Sequence, residues 1–256
     1  MPPSQDRPPL PSNPPQRLYS ARFGRLAVRL LGGFAALLLF TLATGATMLW
    51  LTPSALPEVL HWPVSPALFD ARGNLYHIRL SSAEEYCIPL PLRRMGVWLP
   101  RLAVAVEDKR FFSHPGVDPL ALCRALAQNL NAGRTVSGAS TITSQLVRIA
   151  IPRQRTLATK ALEFVQALGL EWSLDKDRIL ELYLNRAPLG GPYRGVEAAA
   201  RGYFGKRAED LTLAEAAALV AMFQGPTFYR PDRNPAALLE RRIREADLAG
   251  IPVSIH

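Results

Sequence analysis

A mainly α-helical domain behind one N-terminal membrane-spanning helix, with a small β-hairpin region between them, is the architecture this sequence predicts. Three observations lead there: an uncharged apolar run of 22 residues near the N-terminus, helix start and stop signals recurring after about residue 98, and a turn tripeptide between short apolar runs in the interval. With 256 residues, 48% hydrophobic and 20% charged, the chain is long enough for one core with appendages and is neither disordered nor fibrous as a whole. Its two cysteines, Cys87 and Cys123, form no CxxC pair, which excludes a disulfide-rich scaffold and a thiolate zinc site. The net charge of +9 carries little weight, because an Arg- and Ala-heavy chain with four lysines can reflect base composition alone.

Residues 1–24 open on MPPSQDRPPLPSNPPQRLYS, too rich in proline and polar groups to bury a core, and read as a disordered tail. The next segment, 25–52, holds the uncharged run Leu30 to Leu51, which as a helix extends roughly 33 Å and crosses a hydrocarbon core. Arg7, Arg17, Arg22, Arg25 and Arg29 precede it, whereas Glu58 is the one charge between Leu51 and Asp70. This bias places the N-terminus in the cytoplasm and everything after residue 52 outside, so that the bulk of the protein is a tethered, single-pass extracytoplasmic domain. A cleaved signal peptide ending near Ala43-Thr44-Gly45 needs a shorter apolar region, and a buried core helix is rarely apolar all round for this length.

Residues 53–97 form an irregular stalk in which Arg72-Gly73-Asn74 turns a hairpin. The main domain spans 98–245. Asp118-Pro119 caps a helix that Gly133 ends, Ser173 precedes a helix over Ile179 to Asn185, Thr212 and Glu215 make a capping box, and Asn234-Pro235 starts the last helix. Residues 246–256 form a C-terminal tail.

Three segments carry residue types suited to chemistry. Glu107 and Asp108 follow the apolar run Leu102 to Val106, and Phe111 stands one turn later. A carboxylate against apolar neighbours is a setting for a general base. Gly138 to Gln145, followed by Arg148, leads small and hydroxylated residues into a helix, leaving backbone N–H groups as a seat for phosphate. Lys160 and Glu163 lie three apart beside a stripe of Leu157, Ala161, Val165, Leu168 and Trp172 that reads as buried. Each segment alone also reads as an ordinary helix end or surface ion pair. The SxxK match at Ser173-Leu174-Asp175-Lys176 lacks KTG and SDN partners, and the four histidines show no zinc-ligand spacing.

In their order and spacing these segments resemble the peptidoglycan glycosyltransferase domain of glycosyltransferase family 51. Its motif E-D-x-x-F-x-x-H-x-G is matched by Glu107, Asp108, Phe111, His114 and Gly116, and G-x-S-T-x-T-x-Q by Gly138, Ser140, Thr141, Thr143 and Gln145. Of R-K-x-x-E only Lys160 and Glu163 match; I-L-x-x-Y-L-N is Ile179 to Asn185, and Gly195 to Lys206 approaches the fifth motif. Asn185 to Gly191 and Arg230 to Arg233 are similar to the 1C subtype of class A penicillin-binding proteins, whose transpeptidase domain has no counterpart in this sequence.

The resemblance implies a lysozyme-like helical fold and polymerisation of lipid II into β-1,4-linked glycan with release of undecaprenyl diphosphate, by single displacement with inversion. It casts Glu107 as the base and Glu163 as a catalytic aid at the donor pyrophosphate, where a divalent metal (Mg or Mn) is a further expectation and no other cofactor is implied. Asp108, Phe111, His114, Thr141, Gln145, Arg148 and Lys160 are cast as substrate-binding. The implied partners are lipid II, lipid-linked glycan, the membrane and cell-wall synthesis proteins, not nucleic acid. Thr159 stands where the third motif has arginine; Arg155 is a possible replacement. A non-catalytic lipid II-binding scaffold and a glycan-cleaving enzyme are the competing readings.

Overall fold

The protein is described by a computed structural model covering residues 54–134 and 138–248. The chain divides into the units Met1–Leu51 and Thr52–His256, and the described residues belong to the second. The expected tail 1–24 and anchor 25–52 lie outside them, as does most of the 246–256 tail. Among the described residues no helix is long and apolar enough to cross a membrane.

A short helix α1 (Leu56–Leu60) leads into strands β1 (Ala67–Phe69) and β2 (Leu75–Ile78), which pair antiparallel as the turn signal predicts. Asp70 Oδ1 accepts from the backbone N–H of Arg72 and Asn74, and Gly73 takes the positive φ that closes the turn. Strand β3 (Tyr86–Cys87) pairs parallel with β4 (Tyr193–Arg194), tying the stalk to the helical domain.

The helices are α2 (Trp98–Glu107), α3 (Pro119–Ala132), α4 (Ile142–Ala150), α5 (Leu157–Ser173), α6 (Lys176–Arg186), α7 (Val196–Phe204), α8 (Leu213–Met222) and α9 (Pro235–Leu248). The described domain is mainly helical, as expected. Beyond Glu215 in its first turn, helix α8 is apolar on every side, and Ala216 to Met222 are all buried; a helix of that kind belongs at the centre. It packs against α2, α7 and α9, while α4 packs against α5 and α6. Phe111, Leu146, Leu170, Ile179 and Tyr183 join the same core.

Most caps stand where the sequence puts them. Asp118 accepts from Ala121 N–H, Gly133 ends α3 in the left-handed region, and Thr212 and Glu215 bond reciprocally. Ser173, which as a serine ahead of the helix over Ile179 to Asn185 reads as its cap, is a correction. It is the last residue of α5, its hydroxyl donating to Gly169 O, and Asp175 caps α6 instead. A carboxylate accepts the first free N–H groups of a helix more strongly than a hydroxyl does. Lys176 donates to His114 O and Glu171 Oε1, both at 2.7 Å, and lies over the Phe111 ring, so the SxxK lysine has structural contacts of its own.

The expected buried stripe on α5 is the second correction. Leu157 and Trp172 are 88% and 86% exposed, Ala161 and Leu168 also face solvent, and Val165 is half-buried. The inward face carries Glu163, Gln166, Ala167 and Leu170, and Arg153 Nη1 donates to Gln166 Oε1 at 2.8 Å. Helix α3 likewise exposes Leu120, Leu122, Leu126 and Leu130. Periodicity identifies an apolar face but not the element that covers it.

Cys87 is buried and Cys123 exposed, and both are free thiols. Burial pushes the Cys87 thiol up to about 11, against the smaller opposing influence of Arg186 and Arg194. At pH 8, iodoacetamide is therefore expected to alkylate Cys123 and spare Cys87 until the chain is unfolded; mass spectrometry of the native protein showing carboxamidomethyl-Cys87 contradicts this.

Candidate active-site cleft

The site is built where α2 stops. Glu107 is its last residue, and Asp108 leaves the helical region at φ −158 while its N–H still bonds Val104 O. The Asp108 side chain then turns inward. Both its oxygens lie 3.0 Å from His114 Nε2, and Oδ2 also accepts from Ile142 N–H at 3.0 Å. Gly116 N–H bonds His114 Nδ1, so in the tautomer this requires Nε2 carries the proton and donates to Asp108. Thr141 Oγ1 donates to Gly116 O at 2.6 Å. One buried network thus joins the end of α2, the His114 turn and the start of α4. Gly116 has φ +96, and a Cβ there would meet Ala167 O at 2.8 Å, so only glycine fits.

This network narrows the expected phosphate seat at the start of α4, whose Gly138, Ala139 and Ser140 line the cleft described next. Ile142 N–H is taken by Asp108, Ser144 N–H by Thr141 Oγ1, and Thr141 N–H by Ser144 Oγ. Those donors serve the fold and are not open to an anion.

Beside it lies a cleft of about 820 Å³. Glu107, half-buried, contributes its carboxylate; Gln145 Nε2 donates to Oε2 at 2.9 Å and Gln224 Nε2 to Oε1 at 3.2 Å. Tyr183 O–H donates to Gln145 Oε1 at 3.4 Å, and burial keeps this phenol protonated, raising it well above its ordinary value. Arg110 is committed to Asp118, whereas Lys109, Arg124, Arg148 and Arg155 line the cleft without a carboxylate partner among the described residues. Of the three carboxylates lining the cleft, Asp108 and Asp118 are taken up by His114, Ile142 and Arg110, so that Glu107 stands with several cations unpaired among the described residues, a field that favours an anionic ligand.

Of the expected site residues, Glu107, Asp108, Thr141, Gln145 and Arg148 line this cleft. Phe111, His114, Lys160 and Glu163 do not. Phe111 is fully buried in the core and His114 is buried against Asp108, because each packs the turn that aims Glu107 rather than facing the cavity. Lys160 lies 5.7 Å from the Phe164 ring on α5. Glu163 is 9% exposed on the inner face of that helix and makes no hydrogen bond or ion pair among the described residues.

Thr159 has a structural use: its hydroxyl accepts from Thr156 N–H and donates to Gln154 O, completing a capping box at the start of α5. Arg155 lies just ahead of that cap, not on the helix, and reaches the cleft. Gln224 and Arg124 are cleft residues that the sequence reading did not reach. Gln224 follows α8 by two residues and is 117 positions from Glu107, a separation over which neither periodicity nor spacing carries a signal.

A divalent metal needs oxygen or nitrogen ligands gathered around one point. Among the described residues no group of three or more His, Cys, Asp or Glu side chains is so placed. The described side chains by themselves therefore do not gather a metal site.

The transglycosylase family model matches residues 75–247. Penicillin-binding protein 1C of Escherichia coli is 39% identical over 203 residues, covering 78% of this chain and 26% of that protein. Penicillin-binding protein 1B of Haemophilus influenzae is 42% identical over 168 residues (64% and 22%), and penicillin-binding protein 1A of Aquifex aeolicus 40% over 181 (70% and 24%). The chain thus spans about a quarter of the length of these relatives. With a match over more than half of its length, and with the two best-matched motifs converging on the end of α2 and the start of α4, the chain belongs to the transglycosylase family.

Proposed function

We propose that the chain is a peptidoglycan glycosyltransferase that polymerises lipid II into β-1,4-linked glycan and releases undecaprenyl diphosphate at the extracytoplasmic face of the inner membrane. The observation that carries this reading is the pairing, in one cleft, of the Glu107 carboxylate held by two amides with the cations Lys109, Arg124, Arg148 and Arg155. A displacement at a sugar carbon bearing a diphosphate needs one base and a countered leaving group, and no covalent nucleophile. Glu107 takes the proton from the acceptor sugar hydroxyl. As oxygen attacks and the bond to diphosphate breaks with inversion, negative charge grows on the diphosphate, and Arg148 and Arg155 face it.

Each carboxylate oxygen of Glu107 accepts from an amide and keeps capacity for the substrate hydroxyl. Asp108 and His114 act through the turn that aims Glu107. Glu163, although it does not line the cleft, keeps the proposed part of an aid at the donor end, since a nearly buried carboxylate without a partner among the described residues is poised for one from a ligand.

Incubating the purified chain with lipid II, and separately with finished sacculi, tests the reading: polymer from lipid II supports it, and loss of sacculi without polymer refutes it. Arg155→Ala is expected to lower polymerisation by about tenfold or more, the cost of removing a charge-assisted contact to the diphosphate. Arg79→Ala, at an exposed arginine, is expected to change nothing. Equal rates for the two variants exclude Arg155 from the site.

A further inference from the structure

The second amide on Glu107 is itself braced. Arg241 of α9 donates through Nη2 to Gln224 Oε1 at 2.5 Å, and Gln224 Nε2 donates to Glu107 Oε1 at 3.2 Å. A glutamine amide has two ends of nearly the same shape and opposite polarity, so its partners decide which way it faces. Guanidinium has only donors. With Arg241 on one side, the Gln224 oxygen must face it, and the N–H₂ group must then face the carboxylate. Gln224 is exposed and follows the last turn of α8; without the brace its amide is free to rotate. Arg241 also lies 6.0 Å from the Tyr229 ring, and α9 packs on both α8, which Gln224 follows by two residues, and α2, which ends on Glu107.

From this relay we infer that Gln224 and Arg241 are positioning residues for the Glu107 base, so that docking of the C-terminal helix α9 sets the orientation of the reacting carboxylate. The inference rests on the proposed role of Glu107. Neither residue falls in a motif recognised in the sequence, and the relay joins three segments, at 107, 224 and 241, distant along the chain. Gln145, backed by Tyr183, holds the other oxygen, so the carboxylate is clamped from both sides and its plane is fixed.

The test is steady-state polymerisation of lipid II by the full chain in detergent micelles, with thermal unfolding of each variant alongside. Arg241→Ala and Gln224→Ala are each expected to lower kcat about five- to tenfold with KM within about twofold, the size expected when a reacting group loses its orientation but not its ligand. The double variant is expected to lose no more than either single one, because the two side chains act as a unit. Gln224→Glu keeps the acceptor that Arg241 needs but loses the donor to Glu107; it is expected to lose kcat without losing thermal stability, a split that a purely structural role does not produce. Full kcat in Arg241→Ala, losses that multiply in the double variant, or wild-type kcat in Gln224→Glu overturns the inference while leaving the proposed function standing. A parent chain that turns over no lipid II overturns the function and this inference with it.

Discussion

Glu107→Gln is expected to abolish glycan polymerisation, with turnover of lipid II falling by about 10² to 10⁴-fold while lipid II binding persists. The substitution keeps the size and shape of the side chain and removes its ability to hold a proton taken from a hydroxyl. It also places an N–H₂ group where the carboxylate accepts from Gln145 or Gln224, so one of those amides must turn away. Because the position is half-buried at a cleft wall, that rearrangement is local and the fold is retained. Gel analysis of lipid-linked product, with binding measured separately, checks the result. Turnover within about twofold of the parent removes Glu107 from the chemistry. A parent that binds lipid II without turnover makes the chain a scaffold.

Asp108→Ala is expected to have the largest effect on stability. The Asp108 carboxylate is buried and accepts from His114 Nε2–H and Ile142 N–H, two donors with no other acceptor described. Leaving both unpaired in the interior costs about 2–5 kcal/mol, and for a domain of this size the midpoint of thermal unfolding falls by roughly 5–15 °C. Polymerisation falls as well, because the tie between the end of α2 and the start of α4 is what aims Glu107. An exposed acid gives the control: Asp210, ion-paired to Arg207 at the surface, is expected to move the midpoint by less than about 2 °C when changed to Ala. Equal midpoints for Asp108→Ala and the parent show that the network does not hold the site together.

The two aspartates differ because the same chemistry is valued by its surroundings. Asp210 competes with water on both sides of its ion pair, so little is lost with it. Asp108 is the acceptor for groups that have no access to water, and such groups are costly to abandon.

What the residues alone determine in this protein is local. Asp118-Pro119, Gly133, Thr212 with Glu215, Asn234-Pro235 and Arg72-Gly73-Asn74 act within a few positions of themselves, through φ preferences and short-range hydrogen bonds, and each boundary or turn they specify is present. The ordered motifs likewise placed Glu107, Gln145 and Arg148 together. Tertiary structure decided the rest. It turned the apolar stripe of α5 outward and put Glu163 and Gln166 inside, because helical period defines two faces without saying which meets the core. It tied the Ile142 and Ser144 N–H groups at the start of α4 to Asp108 and Thr141, and gathered the cations of the cleft beside them. Gln224 and Arg241 reach Glu107 only after α8 and α9 have packed against α2, and contacts of such sequence separation arise from packing, which no local pattern encodes.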